Sequence, residues 1–149
     1  MATRSMIWVK IHPEDFGKTM MTDISKLPML DFNYPCVEYT IPTPEEGNEL
    51  WLGIYCHWDG YPEGVGAALL KNYNTYEAIL NLVLLGDCSS IVNDVISYHN
   101  WRNEEHKIRV GYRGEHTHPK ENSCIDYTYY FDNGGWSYSE WNYNNLIDL

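Results

Sequence analysis

Residues 49–86 read ELWLGIYCHWDGYPEGVGAALLKNYNTYEAILNLVLLG, a strand-like run that passes into helix-like periodicity. Leu50, Trp51, Leu52, Ile54 and Tyr55 give residues 49–58 an apolar, β-prone character long enough for a central strand, and Gly60 ends it. Pro62 suits a first helical turn, and Val65, Leu69 and Leu70 supply the apolar stripe of a short helix ending near Tyr73. Asn74, with Glu77 three residues on, reads as a capping box, and Ile79, Leu80, Val83 and Leu84 form the buried face of a second helix closed by Gly86. Ser89 or Ser90 caps a third helix, in which Val92, Val95, Ile96 and His99 fall at helical spacing.

The flanks are β in character. Ser5 to Ile11 is a first strand containing Ile7, Trp8 and Val9, stopped by His12-Pro13. From there to Gly47 the five prolines and the lack of periodicity read as a long ordered loop with one short strand near Val37 to Ile41. A loop of that length invites a functional reading and equally suits an insertion packed on the sheet. Lys107 to Arg113 alternates, with Ile108, Val110 and Tyr112 on one side and Lys107, Arg109 and Arg113 on the other. Cys124 to Phe131 alternates too, placing Ile125, Tyr127, Tyr129 and Phe131 on one face. Asp132-Asn-Gly-Gly135 is a hairpin turn, because Asn and Gly tolerate positive φ, and Trp136 to Trp141 is the returning strand. The sum is an α+β fold. One domain spans residues 1–149, with a long proline-containing loop or insertion at about 12–47. It holds a mostly antiparallel sheet with two or three helices inserted between the second and third main strands.

The 149 residues suffice to bury a core without staples. A hydrophobic share of 44% with 21% charged residues excludes a disordered chain, and 13 Tyr with 6 Trp favour strands and contact surfaces. The formal net charge of −11 opposes direct binding to a phosphate backbone. It fits either plain solubility or engagement of a basic partner. Residues 121–149 carry five acids and no Lys or Arg, whereas 101–120 carry five bases against three acids. Cys36, Cys56, Cys88 and Cys124 form no C-x-x-C pair, so reduced thiols are expected. No stretch has the length and hydropathy of a signal peptide or a membrane span, so a cytoplasmic protein is expected.

Three stretches carry a resemblance. Ala2-Thr-Arg-Ser5 before a strand, Ile54-Tyr-Cys-His-Trp-Asp-Gly-Tyr-Pro-Glu-Gly-Val-Gly66 with Leu69-Leu70 and Tyr73-Asn74, and Leu85-Gly-Asp-Cys-Ser-Ser90 together resemble a family of small proteins of tailed phages and prophages. The aromatic strand, Asn-Gly turn and Trp136 are similar as well. About half of the chain is covered. The resemblance implies a phage origin and a host-cell cytoplasmic setting rather than a particular chemistry. The chain departs from the family pattern where residues 12–47 replace a short strand connection.

The candidate sites fall into two groups. The first is a surface for protein contact: Glu38, Glu45, Glu46 and Glu49 of the long loop, with Asp126, Asp132, Tyr138, Glu140, Trp141 and Tyr143. Its expected partner is a host protein with a basic nucleic-acid-binding surface, and the expected role is that of a phage accessory protein inhibiting a defence factor such as a CRISPR effector or a restriction enzyme. The second is a ligand site at the strand-to-helix junction, built from His57, Trp58, Asp59 and Tyr61 with Arg109 and Arg113, where Arg side chains clamp phosphate or carboxylate. The same junction residues equally make a structural corner, with Gly60 and Gly64 supplying permissive dihedrals and Asp59 bonding local amides.

His116 and His118 are the candidate metal ligands, on one face of an alternating strand but with no spacing signature behind them. Ser89, Ser90 and Ser123 have no nucleophile context. No cofactor is expected, and the alternative function is a nucleotide- or small-ligand-binding protein, with metal-assisted hydrolysis as its chemistry. The aromatic content suits homo-oligomerisation as readily as partner capture.

Overall fold

In the computed structural model the described residues are 3–21, 38–56, 60–85, 109–111, 125–140 and 146–149. Strand β1, Ser5–Lys10, alternates between two buried faces: Ile7 and Val9 project to one side, Met6 and Trp8 to the other. A 3₁₀ turn, Pro13–Asp15, leads to a two-stranded ribbon of β2, Thr19–Met21, and β3, Glu38–Thr40. Strand β4, Trp51–Cys56, is followed by a π-helical turn, Pro62–Gly66, and helices α1, Ala67–Asn72, and α2, Tyr76–Leu85. Strand β5 is Arg109–Gly111, and the chain closes with β6, Tyr127–Asp132, β7, Gly135–Glu140, and β8, Ile147–Asp148.

Six of these strands form one sheet in the order β5-β4-β1-β6-β7-β8. Four of its five neighbouring pairs are antiparallel; β1 and β6 run parallel at its centre, with Ile7 opposite Tyr129. The first strand therefore lies between two strands that follow it by about 50 and 120 residues. The architecture is the expected α+β fold, with α1 and α2 inserted between β4 and β5.

One face of the sheet carries Ile7, Val9, Leu52, Ile54, Tyr129 and Phe131 against Val65, Leu69, Ile79 and Val83 of the helical segment. The opposite face holds a second cluster of Met6, Trp8, Trp51, Ile125 and Tyr130. Such close-packed apolar burial is the main favourable term in folding. The indole of Trp136 donates to the Tyr73 carbonyl at 3.0 Å, fastening the end of α1 to the hairpin. The hairpin turns where expected, with Asn133 and Gly134 both at positive φ (52° and 77°), the pattern of a type I′ turn.

Two expectations are corrected, the cap of α2 and the face of Ile125. The cap of α2 is Thr75, whose Oγ1 accepts from the Ala78 N–H at 3.2 Å, so Asn74 and Glu77 do not form a capping box. Ile125 packs with Trp8 and Tyr130 rather than on the Tyr129 face, because the strand begins only at Tyr127 and alternation does not extend back through Asp126. The short strand near Val37–Ile41 is present as β3, but its partner Thr19–Met21 was not anticipated. The strand expected over 107–113 is present as β5 at its described residues, Arg109–Gly111, and the third helix lies outside the described residues.

The 3₁₀ turn docks on the first turn of α2. The His12 imidazole stacks on Tyr76 at 3.6 Å between centroids and 6° between planes. The Tyr76 hydroxyl accepts from the His12 backbone N–H at 3.1 Å and donates to Asp15 Oδ2 at 2.7 Å. Tyr76→Phe keeps the ring and removes both hydrogen bonds, so a loss of about 1–2 kcal/mol is expected in urea denaturation. A loss below about 0.3 kcal/mol would show that water replaces both partners.

Candidate functional site

The strand-to-helix junction is locked to the sheet from below. The Gly60 N–H donates to the Thr3 carbonyl at 3.0 Å, and the Gly60 carbonyl accepts from the Tyr129 hydroxyl at 2.5 Å. A Cβ at residue 60 would stand 2.8 Å from the Thr3 oxygen and 2.9 Å from the Arg4 carbonyl carbon, so glycine is required here for close backbone approach. Tyr61 and Glu63 are exposed on the outer side of this corner. His57, Trp58 and Asp59 lie outside the described residues, as do Arg113, His116 and His118. Arg109 is placed by its backbone opposite Gly53 in β5. Among the described residues, no group of three or more His, Cys, Asp or Glu is placed to hold a metal ion, and no helix is long and apolar enough to cross a membrane.

The acids of the expected contact surface divide between two ends of the sheet. At one end, Lys10 Nζ lies 3.3 Å from Glu49 and 3.7 Å from Asp132, and Glu49 also accepts from the Trp51 indole at 2.9 Å. These two carboxylates are thus committed to a local network. Glu38 sits on the ribbon, and Glu45 and Glu46 are exposed in the turn before β4. At the other end stand Asp126 and Glu140, separated from Asp132 by the length of β6, roughly 17 Å at about 3.3 Å per residue. Trp141 and Tyr143 lie outside the described residues.

Among the described residues, that second end carries an aromatic cluster. Hairpin register sets Tyr129 opposite Tyr138 and Tyr127 opposite Glu140. The three tyrosines form one aromatic cluster: Tyr129 and Tyr138 are 5.8 Å apart between centroids, Tyr127 and Tyr138 6.3 Å, and Tyr127 and Tyr129 6.5 Å. Tyr129 is fully buried beneath, whereas Tyr127 and Tyr138 are half-buried and reach solvent. Ile147, 44% exposed, extends the same row across β8.

The charges of three carboxylates reach Tyr127. Burial first, then the charges of Glu140 and Glu63, the Tyr138 phenol and finally Asp126 raise the Tyr127 phenol above its ordinary value. One Asp126 oxygen accepts from the Arg4 N–H at 2.9 Å, which fixes this carboxylate at the start of β6. The arrangement is aromatic at its centre, with acidic side chains nearby.

Tyr138, Glu140 and Asp126 were expected at a contact surface; the structure sets Tyr127 and Ile147 beside them, with Tyr129 buried beneath. Counting outward from the Asn133-Gly134 turn would have found the tyrosines, because the turn fixes which residues face each other. Glu63 was expected at the strand-to-helix junction with His57 and Asp59, and nothing in the sequence links that distant segment to the hairpin. In comparisons with protein-family models, curated proteins and solved structures, the chain matches none.

Proposed function

We propose that this chain is a phage accessory protein that acts by binding, seating the Tyr127 and Tyr138 surface and its carboxylates on the basic nucleic-acid-binding surface of a host defence protein. The observation that carries the reading is the hairpin register that sets Glu140 opposite Tyr127 and brings Tyr127 against the solvent-reaching Tyr138, with Asp126 next in the chain and the charge of Glu63 felt at the Tyr127 phenol. Aromatic rings supply contact area at small entropic cost, and the acids steer a basic partner and set its register. The resemblance of residues 54–66 to proteins of tailed phages supplies the setting, and the net charge of −11 favours a basic partner over nucleic acid itself.

The test is capture by tagged protein from host lysate at low and high salt, followed by competition of the captured protein's nucleic-acid binding. Glu63→Lys with Glu140→Lys is expected to abolish capture and competition while circular dichroism stays unchanged. Asp126 is left intact because its carboxylate holds the Arg4 N–H. Glu45→Lys with Glu46→Lys, in the turn before β4, is expected to have little effect. Capture that survives the first pair unchanged would sink the proposal.

A further inference from the structure

The chemistry of the rim and rings defines which basic group this surface takes. We infer that the Tyr127 surface is an arginine-recognition site, a step that rests on the docking function proposed above and specifies its anchor.

Two observations carry it. First, Tyr127 and Tyr138 touch each other, with centroids 6.3 Å apart and planes inclined at 52°. A planar group sandwiched between rings needs roughly 7 Å, twice a van der Waals contact distance. The space between these rings is therefore closed, and a cation meets an outer ring face. A guanidinium is flat, weakly hydrated and stacks on such a face; an ammonium is a compact, strongly hydrated charge that gains less there.

Second, Glu140 is directly opposite Tyr127 on β7, and Glu63 is close enough to raise the Tyr127 phenol. Carboxylates beside a ring face match the five N–H donors of a guanidinium, which pairs with them in a fork.

The experiment compares octa-arginine with octa-lysine binding to the full chain by fluorescence anisotropy. Octa-arginine is expected to bind about two- to fivefold more tightly, the range of an exposed cation–π contact. Tyr127→Leu should abolish that preference, Tyr127→Phe should retain it, and Glu63→Gln with Glu140→Gln should weaken both peptides. Equal binding of the two peptides, still lost with Glu63→Gln and Glu140→Gln, would overturn the arginine assignment and leave the acidic docking surface standing. Binding of neither peptide would overturn both. Equal weakening by Glu45→Gln with Glu46→Gln would show attraction to net charge alone and overturn the site.

Discussion

Gly53→Ala is expected to destabilise the fold by about 3 kcal/mol, the upper end of the usual cost of overpacking a core. Gly53 faces Trp8 across the β1 and β4 pair, and the indole lies flat over it. A Cβ at residue 53 would stand 2.7 Å from Trp8 Cδ2 and 2.8 Å from Cζ3, and closer still to Cε3. Trp8 is 1% exposed and packed against Met6, Trp51, Ile125 and Tyr130, so the ring has nowhere to move. Glycine inside a strand is otherwise unfavourable, and here its place is explained by the ring above it. Trp8→Leu alone is expected to cost about 2–4 kcal/mol through the cavity it leaves. The double variant should be more stable than the sum of the single losses implies, by about 1–2 kcal/mol. Strict additivity in urea denaturation would show that the indole is not what excludes a side chain at Gly53.

Above pH 10 the protein is expected to lose stability steeply, and Tyr129 is the main reason. Its phenol is fully buried and hydrogen-bonded to the Gly60 carbonyl, and burial first, then neighbouring Tyr127, raises its pKa far above the ordinary 10. Below pH 10 folded and unfolded chains both keep the proton, so this group imposes no pH dependence. Above it only the unfolded chain ionises, so the unfolded state binds fewer protons and unfolding becomes easier. The slope is about 1.4 kcal/mol per pH unit until folded Tyr129 itself ionises. Tyr76 adds to the same trend in the same direction, more weakly because it is partly exposed. Tyr129→Phe should be less stable at pH 7 by about 1–3 kcal/mol, since the Gly60 carbonyl loses its donor, and should show a shallower decline between pH 10 and 12. Parallel declines for the two proteins would remove Tyr129 from the account.

The elements readable from sequence are those set by neighbours along the chain. Strand β4 and the hairpin follow from local apolar pattern and from the Asn133-Gly134 turn, and both are where the pattern puts them. The cap of α2 moved by one residue because Asn74 and Thr75 are both capping types; only three-dimensional geometry shows that the Thr75 hydroxyl reaches Ala78. Ile125 and the ribbon partner Thr19–Met21 depend on where strands begin and what lies beside them, which alternation alone does not encode. At the candidate surface the tyrosines were within reach of the hairpin register. The withdrawal of Glu49 and Asp132 into a network with Lys10 was not, because that lysine belongs to the first strand.

The place of β1 in the sheet sets an order of events during synthesis. Its partner β4 emerges about 50 residues later, yet its parallel partner β6 is made only about 120 residues later. Until then the β6-facing edge of an apolar strand carrying Ile7, Trp8 and Val9 has no strand to pair with. Non-local pairings of this kind close slowly, and open apolar edges are where nascent chains associate wrongly. The hairpin of β6 and β7, stitched locally by its own turn, is therefore the piece whose arrival covers the open edge of β1, leaving the short β8 to add at the margin, and it brings Tyr127, Tyr129 and Tyr138 together in the same step.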